Sequence, residues 1–217
     1  MFVGHYSVSF AARRASDDIP LWIWFVAVQW LDLFFMIFVL AGIEKMRIVP
    51  DFTESNALDL YSMPYTHGLV GAVVLSVVFA ALVAAFLPAA RRPGALLLLA
   101  VAVFSHWILD FVVHTPDLAL FDPQTKVGLG LWNHLAIELP LELVLIVLFG
   151  WLYARGADAV RRRRTWILVA VMVILQVYST FGPTPTSTIA FAITGLVAYV
   201  LFIVLAHWVE RKPSMSA

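Results

Sequence analysis

The stretch Ser105-His106-Trp107-Ile108-Leu109-Asp110-Phe111-Val112-Val113-His114 sets three metal-capable side chains, His106, Asp110 and His114, at i, i+4 and i+8 inside an otherwise apolar run. In an α-helix each such step turns the side chain by about 40°, so the three form one polar stripe about 12 Å long. His134, Glu138 and Glu142 repeat that spacing further along the chain. Two such stripes on apolar helices can face each other across a bundle.

The rest of the composition fits that picture. Of the 217 residues, 62% are hydrophobic and 13% charged, and the mean hydropathy is +0.92, well outside the range of soluble domains. The expectation is a polytopic, all-α membrane bundle forming a single domain over residues 1–217. A formal net charge of zero leaves no basic surface to neutralise phosphates and excludes nucleic acid as a partner. Without cysteine, any metal must be held by nitrogen and oxygen ligands.

About six transmembrane helices are expected, over residues 21–43, 66–87, 94–115, 131–153, 165–181 and 187–208. Residues 1–20 read as a short interfacial segment. Arg13 and Arg14 ahead of an apolar run superficially resemble a secretion signal. However, residues 21–43 are long enough to span and lack a small-residue cleavage pattern before Glu44-Lys45. Asp17-Asp18-Ile19-Pro20 is a helix-start signal, Pro116 an end signal, and Pro140 predicts a kink in the fourth span. Arg13/Arg14, Arg91/Arg92, Arg155 with Arg161 to Arg164, and Arg211/Lys212 fall on one side of this six-span order, which predicts cytoplasmic termini. His67, His114 and His134 then start near the outer face. Asp32, His106 and Glu142 lie about 12–18 Å further in.

Within those spans stand four acids, Asp32, Asp110, Glu138 and Glu142, and no lysine or arginine. Such acids cost about 2.5–3.5 kcal/mol each on insertion scales unless compensated, so protons or bound cations must balance them. Two divalent ions neutralise four carboxylates, and neutral His67, His106, His114 and His134 complete the shells. His106 with Asp110, and His134 with Glu138, have the i, i+4 spacing with which adjacent turns of one helix clamp one ion. Taken singly, an intramembrane histidine or Asp32 is equally an interhelical hydrogen bonder. Glu138 is a candidate ligand, and Glu138 and Glu142 are candidate general bases. Because His106 and His114 stand about 12 Å apart along the axis, His114 belongs to the pocket mouth or to a second ion. The last two spans supply none of these groups and read as a jacket. His5 starts on the cytoplasmic side, where a surface role is the default. The 8 tryptophans and 16 phenylalanines are explained by interface belts and lipid packing.

Gly4-His5, Asp32 in the first span, Thr66-His67 opening the second and Ser105-His106-x-x-x-Asp110 in the third resemble the membrane-bound metal-dependent hydrolases of the LexA-regulated inner-membrane type. That family is itself likened to zinc-dependent phospholipase C. The resemblance covers roughly residues 1–120. It implies His5, Asp32, His67, His106 and Asp110 as metal ligands and a bacterial inner (plasma) membrane location. Where that family tends to carry Pro-Asp-x-Asp, this chain has Trp30-Leu31-Asp32-Leu33, and Glu138 and Glu142 are candidates to replace the missing acid.

The expected function is therefore metal-dependent hydrolysis of a lipid or lipid-linked phosphoester, with membrane lipids as partners. Zn²⁺ is the first choice of ion, Mn²⁺ or Fe²⁺ also suiting mixed imidazole and carboxylate ligands, in one or two copies. A divalent-cation or proton-coupled carrier would use the same side chains, but the sequence lacks the internal repeat and matched broken spans that many carriers show. A purely structural metal site is the third reading.

Overall fold

The computed structural model describes residues 1–212. A 3₁₀ turn over Val3–His5 leads into α1 (Tyr6–Ala15), and α2 (Leu21–Val28) and α3 (Trp30–Leu40) follow. A two-stranded antiparallel hairpin, β1 (Lys45–Ile48) with β2 (Leu58–Ser62), precedes α4 (Leu69–Phe86) and α5 (Pro93–Val113). A small second hairpin, β3 (Leu118–Ala119) with β4 (Lys126–Val127), leads to α6 (Leu135–Ala154), α7 (Ala159–Phe181) and α8 (Thr188–Glu210). Helices α4 to α8 are each long and apolar enough to cross a bilayer, and α2 with α3 adds a sixth if the bent pair is one span. Their outward faces carry exposed aliphatic side chains such as Val77, Leu97, Ile174 and Val204, as expected where lipid rather than water is the solvent.

The first crossing is not the continuous helix expected over residues 21–43. It bends by 53° between α2 and α3. Gln29 stands at the break with φ −106° and ψ 5°, and its side chain donates to Asp32 in the first turn of α3. The break leaves the carbonyl of Val28, the last residue of α2, available to a side chain from another helix.

Residues 1–15 are drawn into the bundle. Val3, Tyr6 and Phe10 have no exposure at all, and α1 packs against α2, α5 and α6. The polar residues that make the segment look amphipathic are satisfied internally: Ser7 Oγ donates to Gly4 O at 2.7 Å and Ser9 Oγ to Trp24 O at 3.0 Å. Once these hydroxyls are paired, the segment can be buried at little cost.

Several of the basic residues do gather at one end of the bundle. Arg13 Nε donates to Glu210 Oε1 at 2.6 Å, Arg14 to the Leu152 carbonyl, and Arg164 to the Trp208 carbonyl at 3.0 Å. Glu210 also accepts from the Leu21 backbone at 2.7 Å and the Tyr153 hydroxyl at 3.0 Å, and so ties α1, α2, α6 and α8 together. At the opposite end the two hairpins are joined by Lys126 Nζ donating to the Tyr61 carbonyl at 2.8 Å.

Candidate metal centre

Between these ends the bundle buries a cluster of imidazoles around two aspartates. Asp110 sits on α5 one turn after His106 and one turn before His114, so its carboxylate is flanked on both sides. The Oδ2 atom lies 3.1 Å from His106 Nε2 and 3.4 Å from His67 Nε2. The Oδ1 atom lies 3.1 Å from His5 Nε2, 3.6 Å from His114 Nε2 and 3.0 Å from the Met1 amino nitrogen. Asp32 reaches in from the first turn of α3, its Oδ1 at 3.3 Å from His67 Nε2 and 3.6 Å from His106 Nε2. The rings of His5 and His106 stack at 3.7 Å between centroids.

The partners on the far side of three of these rings fix how they face the cluster. His106 Nδ1 is 2.6 Å from the Val28 carbonyl freed by the break in the first crossing. A carbonyl can only accept, so Nδ1 carries the proton and neutral His106 presents a bare Nε2. The Thr66 hydroxyl donates to Glu44 Oε2 at 2.6 Å and lies 2.8 Å from His67 Nδ1. Its one proton being committed to Glu44, it accepts from Nδ1–H, and His67 Nε2 is bare as well. His114 Nδ1 faces Asp117 Oδ1 at 2.8 Å, with the same result. Three imidazole lone pairs thus converge on carboxylate oxygens, an arrangement that is repulsive unless an electropositive centre lies between them. His5 Nδ1 is buried without any hydrogen-bond partner, and the nearest polar atoms to His5 Nε2 and His106 Nε2 are the two Asp110 oxygens, each at 3.1 Å.

The spacing fits a metal ion. Ligands at 2.0–2.1 Å around a tetrahedral ion stand about 3.3 Å apart. The four contacts joining Asp32 Oδ1 and Asp110 Oδ2 to His67 and His106 measure 3.3, 3.6, 3.4 and 3.1 Å. His5, His106 and Asp110 form one group of ligand atoms close enough to hold an ion, and Asp32, His67 and His106 form another. His106 belongs to both groups, and Asp110 turns one oxygen to His67 and His106 and the other to His5 and His114.

Of the residues expected in the site, His5, Asp32, His67, His106, Asp110 and His114 come together. His5 is fully buried rather than at a surface, because α1 is drawn into the bundle. His134 does not join them. It precedes α6 in a non-helical conformation with φ −137° and ψ 68°, and it is exposed. The i, i+4 face shared with Glu138 therefore does not exist. Glu138 and Glu142 line the same cavity as the cluster but hold other partners. Glu138 accepts from Ser55 Oγ at 3.3 Å. Glu142 accepts from the backbone N–H groups of Phe2 at 2.9 Å and Gly4 at 2.8 Å, so its charge is met by the start of the 3₁₀ turn that carries His5.

The last two helices are more than a jacket. From α8 the Tyr199 hydroxyl donates to Asp32 Oδ2 at 2.9 Å, and from α7 Gln176 Oε1 accepts from Val3 N at 3.4 Å. Both residues line the cavity, whose volume is about 310 Å³. Its mouth is shaped by the loop between β1 and β2, where Ser55 N donates to the Trp132 carbonyl at 3.0 Å, and by the segment after α5. There a Cβ at Gly128 would collide with the carbonyls of His114 and Thr115, so glycine allows the loop to close over His114. Trp132 packs on the His114 ring at 4.0 Å.

No protein-family model, curated protein or solved structure matches this chain.

Proposed function

We propose that the chain is an integral-membrane, metal-dependent hydrolase of a lipid or lipid-linked phosphoester. The carrying observation is the set of bare Nε2 atoms held at 3.1–3.6 Å from two shared carboxylates on the wall of a largely apolar cavity. Mixed nitrogen and oxygen donors at this spacing suit Zn²⁺ first, with Mn²⁺ or Fe²⁺ as the other candidates.

Asp32, His67, His106 and Asp110, with His5 and His114, are the residues that would hold divalent ions, which when bound would supply Lewis acidity toward a phosphoryl group. The chain's own contributions are distinct. Glu138 faces the cavity with one oxygen on the Ser55 hydroxyl, which supports it as the group that takes a proton from attacking water. Glu142 is committed to the backbone of Phe2 and Gly4, which favours a positioning role over a basic one. Tyr199 and Gln29 hold Asp32 by its second oxygen, leaving the first for the ion.

A carrier using the same groups needs a polar route past the cluster. Immediately beyond His5 lie Tyr6, Phe10, Phe25 and Phe202, all fully buried and packed ring against ring at 4.8–5.5 Å. This aromatic layer supports a site open on one side, as an enzyme requires.

The test is metal analysis of purified protein under non-chelating conditions together with phosphodiester turnover by wild type and Asp110→Asn. Bound transition metal and turnover lost in the variant are expected. Protein free of transition metal sinks the proposal, and cation flux in proteoliposomes abolished by Asp110→Asn, without phosphoester turnover, moves the function to a carrier.

A further inference from the structure

The cavity has two unlike ends. Near the metal cluster it is walled by Asp32, Asp110, Glu138 and Tyr199. The other end runs between α3, α7 and α8, where Phe35, Met36, Leu175, Phe191, Gly195 and Ala198 line it and, among the described residues, no charged side chain enters. Its outer lip is made by Tyr178, Ser179 and Thr194, all exposed on α7 and α8, with Pro183 and Pro185 of the turn that joins the two helices. Even the polar group of Thr194 is turned back on its own helix, the hydroxyl donating to the Ala190 carbonyl at 2.8 Å. From Tyr199 at the cluster to Phe191 near the lip is eight residues of α8, about 12 Å.

We infer that this arm holds a single acyl chain of the substrate, entering between α7 and α8 and leaving the phosphoester at the Asp32/Asp110 cluster. The inference rests on the hydrolase reading for what happens at the cluster, but the arm itself follows from the cavity's shape and lining. An apolar passage continuous with a polar pocket matches an amphiphile and offers nothing to a wholly polar ligand. The volume of about 310 Å³ is at the lower end of small-ligand sites, roughly 300–1,000 Å³. It therefore takes one chain, and a second chain of the same lipid stays in the bilayer. Gly195 sets the width. A Cβ there would meet Met36 Cε at 3.4 Å, an ordinary contact, whereas a longer side chain would occupy the arm.

The chain has no cysteine, so a single introduced thiol reports on the arm without background. Full-length Ala198→Cys, held in amphipol, is to be labelled with a small maleimide in the presence of dodecyl phosphate or ethyl phosphate. Dodecyl phosphate is expected to slow labelling at least tenfold and ethyl phosphate to leave it unchanged. Val197→Cys, on the exposed face beside it, should label equally in all conditions. Adding Gly195→Leu should abolish the protection. Thr194→Cys at the lip gives the same reading should Ala198→Cys fail to fold. Equal labelling of the arm cysteine with and without dodecyl phosphate, equal protection by ethyl phosphate, or equal protection of Val197→Cys overturns the inference. Turnover of ethyl and dodecyl nitrophenyl phosphodiesters separates the two ideas. Protection without any turnover leaves the arm standing and removes the hydrolase, while turnover without protection does the reverse.

Discussion

Gly4 donates its backbone N–H to Glu142 Oε2 at 2.8 Å, although 138 positions separate them in sequence. With Phe2 N on the same carboxylate, this contact seats the turn that brings His5 against Asp110. Glu142→Ala strands these amides inside the bundle, at about 1–3 kcal/mol for each unsatisfied group. A loss of at least 2 kcal/mol in a denaturant titration is expected, with metal content lowered as His5 leaves its place. Unchanged stability and metal content would mean that His5 is held by other contacts.

The Thr66 hydroxyl passes the influence of Glu44 to His67, and its removal leaves the ring free to turn or change tautomer. Thr66→Val should weaken metal binding by about 10- to 100-fold, the usual effect of deleting a partner behind a ligand, while Thr66→Ser should restore it. Competition against a chromophoric chelator measures both. Equal affinity of wild type and Thr66→Val would contradict the assigned hydrogen-bond directions.

Metal stoichiometry should separate the histidines by position. His106→Ala removes a nitrogen shared by both ligand groups and is expected to reduce bound metal to one ion or none. His134→Ala should leave it at the wild-type value, since that ring lies outside the cluster. Elemental analysis of the purified variants decides, and a loss of metal in His134→Ala would be incompatible with its exposed position.

Stripping the ions leaves Asp32 and Asp110 facing bare imidazole nitrogens. Chelator treatment should therefore lower the thermal midpoint, and readdition of Zn²⁺ at a hundred times its dissociation constant should stabilise the fold by about 2.7 kcal/mol. A midpoint indifferent to chelator would show that protons, rather than metal, balance the carboxylates.

His106 and Asp110 are legible as a pair in the sequence because both lie inside a regular helix, where i and i+4 share a face. The same spacing misleads at His134, since α6 begins one residue later and a non-helical residue obeys no such rule. His5 carries no spacing signal: serines and arginines mask the buried face of α1, and their internal hydrogen bonds cannot be read from composition. The partners behind the ligands, Glu44, Thr66, Asp117 and Tyr199, carry no spacing signal either. Their roles arise from contacts between elements, 167 residues apart for Tyr199 and Asp32. The divided first crossing is equally hidden, since residues 21–40 contain neither proline inside the apolar run nor glycine to announce it.

The seating of residues 2–5 on Glu142 has a consequence for biogenesis. These residues precede α6 in the chain, and their docking site does not exist until that helix is in place. Their seat on Glu142 closes a loop of 138 positions, and closing so long a loop is slow. Until then Asp110 lacks its contact with His5, so the cluster is complete only once the bundle has finished assembling.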